Sequence, residues 1–67
     1  MKLSEREVEV LQLISSELTI REIAKQLFVS KHTVVSHCKN IKEKLGARNV
    51  AGVVRAGFEK GYLEVGI

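Results

Sequence analysis

The chain has 67 residues, 45% of them hydrophobic and 28% charged, with a formal net charge of +3. That length holds one domain, taken as residues 1–67, burying only about 60% of its unfolded surface. No run reaches the roughly 20 apolar residues of a membrane span, and the amino terminus lacks a secretory pattern, so a soluble, intracellular protein is expected.

A first helix is predicted over about 5–16. Ser4 and Glu7 have the spacing of a capping box, and Leu3 can staple onto Val8. Val8, Leu11 and Ile14, flanked by Val10 and Leu13, give it a broad apolar face that closes the core over its neighbours.

A second helix follows over about 20–27, opened by the same device in Thr19 and Glu22 with Leu18 stapling onto Ile23. Its apolar set is Ile23, Ala24, Leu27 and Phe28, and the small Ala24 lets another helix cross closely. A third helix runs over about 31–45 from Ser30 to a stop at Gly46. On a wheel of 100° per residue Val34, Cys38, Ile41 and Leu45 fall within about 40° of one line, a core stripe. The lone cysteine, Cys38, excludes an internal disulfide and on that stripe reads as a buried thiol. The opposite face carries His32, Ser36, Lys39 and Glu43, flanked by Thr33, Val35 and Asn40. Thr33 stands where a capping box would need Glu or Gln, which leaves the N–H groups of the helix start open to a phosphate.

Asn49 caps a fourth helix over about 50–60, which Gly61 ends. On its wheel Val50, Val53, Val54 and Gly57 face the core, while Gly52, Arg55, Ala56 and Glu59 face outward. Two small outward residues, Gly52 and Ala56, make a shallow strip on which a second copy could pack, with Arg55 and Glu59 at its margins. Tyr62 and Leu63 should fold back onto the core, with the last few residues fraying.

The four predicted helices give an all-α fold, and Ala24, Val29, Ser30 and Val34 follow the spacing of a helix-turn-helix. Charge points the same way. Residues 18–48 hold seven bases (Arg21, Lys25, Lys31, Lys39, Lys42, Lys44, Arg48) against two acids (Glu22, Glu43), a net of +5, as expected of a surface facing phosphates. Base edges are assigned to His32, Val35, Ser36 and Lys39 on the outward stripe of the third helix. The backbone falls to Arg21, Lys25, Lys31, Thr33, Asn40 and Lys42. His37, at the edge of that face, either joins the phosphate contacts or satisfies a neighbouring carbonyl.

Enzyme chemistry needs a converging constellation. His32 lies about 140° from His37 on the wheel, and Cys38 points another way again, so neither catalysis, a metal site nor a cofactor is expected. A protein-interaction module is the alternative use of such a fold, but the exposed face of the third helix offers only Val35 as an apolar anchor. Duplex RNA fits less well, because its narrow major groove does not admit a helix.

Taken together, LSEREVEVLQLI, IREIAKQLFVS and HTVVSHCKNIKEKLG resemble the LuxR-type helix-turn-helix family over about residues 3–61. The most specific matches are Arg6-Glu7 before Val10-Leu11, Glu22-Ile23-Ala24, Ser30 with Thr33-Val34 and His37, and Lys44-Leu45-Gly46. The resemblance implies the output domain of a bacterial response regulator or quorum-sensing activator. Its third helix would read double-stranded DNA in the cytoplasm, at the nucleoid, and its fourth would supply a dimer contact on DNA, with RNA polymerase a further partner. Three positions depart from the family pattern. Glu17 replaces a glycine at the end of the first helix. Val35 replaces a basic residue, which loses one contact or exchanges it for an apolar one such as a thymine methyl. Cys38 stands where relatives are often basic or polar, leaving Lys39 as the main cation in the middle of the helix.

Overall fold

The computed structural model describes residues 2–64. It contains four helices and, among the described residues, no strand: α1 (Glu5–Ser15), α2 (Ile20–Leu27), α3 (Lys31–Leu45) and α4 (Val50–Glu59). The tail expected to fray, residues 65–67, lies outside the described residues.

Each helix starts where its capping residue dictates. Ser4 Oγ accepts the Glu7 N–H at 3.1 Å while Glu7 Oε1 accepts the Ser4 N–H at 2.8 Å. Thr19 and Glu22 repeat the exchange at 3.2 and 2.8 Å. Ser30 and Asn49 cap from one side only, accepting from Thr33 and Gly52. These bonds satisfy N–H groups that a helix start leaves without partners.

All four helices also end on one device, a left-handed residue that lets two consecutive N–H groups turn back onto the last carbonyls. The Leu18 and Glu17 N–H groups donate to Leu13 and Ile14, Val29 and Phe28 to Ala24 and Lys25, Ala47 and Gly46 to Lys42 and Glu43, and Tyr62 and Gly61 to Gly57 and Phe58. The left-handed residue is Gly46 in α3 and Gly61 in α4, but Glu17 (φ 67°) in α1 and Phe28 (φ 58°) in α2. Glu17 therefore makes, with a side chain in place, the turn for which the resemblance implies glycine. The left-handed conformation of a residue with a Cβ costs about 1–2 kcal/mol.

The core has two lobes joined by α3. Val34, near its start, packs with Ile23 and Ala24 of α2. Ile41 and Leu45, near its end, pack with Leu3, Val10, Leu11, Val53 and Leu63. Ile14, Leu27 and Cys38 touch both lobes. The expected stripe is thus the axis of the molecule, with Val34, Ile41 and Leu45 buried and Cys38 half-buried. Tyr62 and Leu63 fold back as expected: Leu63 is buried, and the Tyr62 hydroxyl accepts the Leu3 N–H at 3.2 Å.

Two expectations fail. Phe28, placed in the apolar set of α2, is 95% exposed. As the left-handed residue of the turn it has left the helix, and its side chain with it. In α4 the assignment of faces is rotated. Val53 and Gly57 are buried and Val54 packs on the core as expected, but Val50 is 62% exposed. Gly52, expected outward, faces the preceding turn, and a Cβ there would stand 3.3 Å from that of Ala47. Ala56 packs on the core. Gly57 has the structural role expected of it, since a Cβ would meet Leu63 Cδ1 at 2.8 Å and Leu11 Cδ2 at 3.1 Å.

Candidate nucleic-acid interface

The helix-turn-helix is α2, the turn Phe28–Ser30, and α3. Ala24 and Val34 are buried where the two helices cross, 5% and 0% exposed. That crossing turns the other face of α3 outward. His32, Val35, Ser36, Lys39 and Asn40 are exposed along it, and Thr33, His37 and Lys42 are half-buried at its borders. Arg21 and Lys25 on α2 and Lys31 at the start of α3 are exposed. All four base-edge candidates therefore share one accessible stripe, with cations on the flanking helix.

The amino-terminal end of α3 has no acidic residue in its first turn. Ser30 Oγ accepts the Thr33 N–H at 3.1 Å and lies 2.9 Å from Thr33 Oγ1. The carboxylate that completes the capping box at the starts of α1 and α2 has no counterpart here, so no fixed negative charge opposes a phosphate. Glu22 is already engaged, and its bonds with Thr19, the backbone one foremost, hold its carboxyl below the ordinary range.

One base of the central excess does not belong to this surface. Lys44 turns inward and donates to Glu7 Oε1 at 2.7 Å, with its side chain 25% exposed and that of Glu7 6%. Burial raises the Glu7 pKa, but the bonds from Lys44 and Ser4 outweigh it and hold the carboxyl below its ordinary 4.5. Along the chain Glu7 shows its capping role and its place in the family match, but not this buried pairing. Its position one turn before Val10 and Leu11, on the buried side of α1, was the available signal. Burial pushes the half-buried Cys38 thiol above its ordinary 9.0, against the pull of Lys42. Among the described residues no group of three His, Cys, Asp or Glu side chains could hold a metal ion, and no helix is long and apolar enough to cross a membrane.

A family profile described as bacterial regulatory proteins, luxR family (GerE), matches residues 1–56. The chain belongs to the luxR family. It is 38% identical over 63 residues to the spore germination protein GerE of Bacillus subtilis (strain 168), covering 94% of this chain and 85% of GerE. It is 42% identical over 62 residues to the oxygen regulatory protein NreC of Staphylococcus aureus (strain JH9), where it spans only 29% of the longer protein. In three dimensions it resembles the transcription factor GerE, with a TM-score of 0.88, 31% identity and 92% of each chain covered. It also resembles ChrA, the response regulator of a heme-sensing two-component system, with a TM-score of 0.89 and 35% identity over 94% of this chain and 31% of that one. The luxR-family assignment and the exposed face of α3 agree on a DNA-binding helix-turn-helix for transcription regulation.

Proposed function

We propose that residues 1–67 act as one DNA-binding domain that inserts α3 into the major groove of duplex DNA. His32, Val35, Ser36 and Lys39 meet base edges, while Arg21, Lys25, Lys31, Thr33, His37, Asn40 and Lys42 meet the backbone. The observation that carries this reading is the exposed polar stripe of α3, bordered by cations and opened by a first turn without a carboxylate. Lys39 is the main reader, because a lysine on guanine O6 or N7 contributes about 1–3 kcal/mol of discrimination. The test is Lys39→Ala measured on a selected site and on random duplex: specific affinity should fall more than nonspecific affinity. Equal losses would make Lys39 a backbone contact.

On this reading the domain works on chromosomal DNA in the bacterial cytoplasm, with RNA polymerase a further partner. It pairs on DNA through α4, over the exposed Val50 and Phe58, bordered by Arg55 and Glu59. Gly52 and Ala56 are not part of it. Two copies so joined would present their recognition helices about one helical turn, roughly 10 base pairs, apart. One observation favours a protein partner for the helix-turn-helix itself, the exposed Phe28 ring. A single aromatic knob lacks the cluster of anchors that a partner-binding face presents, so DNA remains the better fit.

A further inference from the structure

We propose that Val35 reads the 5-methyl group of a pyrimidine in the major groove, which makes it a specificity-determining residue for thymine. This rests on the DNA reading above and deepens it. Five large apolar side chains are exposed among the described residues: Ile20, Phe28, Val35, Val50 and Phe58. Only Val35 stands within the outward stripe of α3, between His32, Ser36 and Lys39. It is 48% exposed and is absent from both lobes of the core and from the side chains packed on them. Folding therefore gives its isopropyl group little to do.

On the floor of a major groove every base edge offers donors or acceptors, and the one apolar group is the C5-methyl of thymine. An isopropyl group pressed against polar atoms would strip them of water and return no hydrogen bond. Against a methyl group it loses nothing and removes apolar surface from water. Branching at Cβ also confines Val35 to essentially one rotamer in a helix, so its methyls are held in place before DNA arrives. Lys39 is four residues on, about 6 Å further along the axis. The methyl-bearing pyrimidine should then lie within about two base pairs of the guanine that Lys39 reads, at 3.4 Å per step. Because the methyl is the determinant, 5-methylcytosine would satisfy Val35 as thymine does.

The experiment begins by selecting bound sites from a random duplex pool with the whole chain. Each thymine of the selected half-site is then replaced singly by deoxyuridine, which deletes only the methyl. One replacement should weaken binding about fourfold, equivalent to about 0.8 kcal/mol for one buried methyl. That penalty should vanish in Val35→Ala, an exposed change that alanine's helix propensity favours. At the same position, 5-methylcytosine opposite guanine should bind more tightly than cytosine. Insensitivity of every thymine to demethylation overturns the proposal but leaves DNA reading intact. So does a penalty that persists in Val35→Ala, since the methyl would then act through DNA shape. A pool that enriches no sequence overturns both readings.

Discussion

Glu7, at the start of α1, and Lys44, at the end of α3, meet at 2.7 Å although 37 residues separate them in the chain. The carboxylate is almost wholly inside, and the ammonium reaches it from the rim. The pair therefore ties the amino-terminal cap to the carboxyl-terminal end of the recognition helix.

Removing the two partners should have unequal effects. Lys44→Met leaves a buried carboxylate unpaired and should cost about 2–4 kcal/mol, somewhat less than breaking a fully buried pair because the lysine end is partly exposed. Glu7→Gln keeps a side chain able to complete the capping box and lets Lys44 swing to water, so about 1 kcal/mol is expected. Since the folded Glu7 pKa lies below 4.5, the pair's contribution is complete above that value and is lost as pH falls through the folded pKa. Urea unfolding of both variants and the parent at pH 7 and pH 3 measures the asymmetry and its loss in acid.

The left-handed turns make a second test. Glu17→Gly and Phe28→Gly should each stabilise the fold by about 0.5–1 kcal/mol, the relief of the left-handed conformation reduced by glycine's greater unfolded-state entropy. Gly46→Ala has room for its Cβ but sits at φ 66°, and should destabilise by about 1 kcal/mol. Thermal melts decide this. Unchanged melting temperatures in all three would show that the turns are not strained.

Salt dependence separates backbone contacts from bystanders. Arg21→Ala should lower the slope of log affinity against log salt by about 0.9. Arg55→Ala, on α4 and away from the proposed face, should leave the slope unchanged when tested on a single half-site. An unaltered slope in Arg21→Ala would place that side chain in solvent.

Pairing through α4 predicts that Phe58→Glu and Val50→Glu abolish cooperative binding to an inverted repeat, a loss of about fivefold or more, with half-site affinity retained. Gly52→Ala should leave cooperativity as it is, because that position faces Ala47. Gel-shift titrations on one and two half-sites distinguish the outcomes.

What was legible in the sequence was local. Ser4 with Glu7, Thr19 with Glu22, Ser30 and Asn49 mark helix starts through bonds that span three residues, so their meaning does not depend on the rest of the fold. The periodicity of Val34, Ile41 and Leu45 identified the buried side of the recognition helix, and hence the opposite stripe, because a long helix with one apolar and one polar face leaves a single choice. The short α4 offered no such contrast. Valines, glycines and two alanines occur all round it, and its rotation was decided by Ala47 closing beside Gly52 and by Leu11 and Leu63 closing over Gly57. Phe28 had the right spacing for the core, but the backbone bonds that end α2 require a left-handed residue there, and that turns its ring into solvent. Glu7 and Lys44 are each ordinary helix residues when read along the chain. A wheel gives the angles between side chains on one helix, and only packing against the others decides which angle points inward and which distant residues meet.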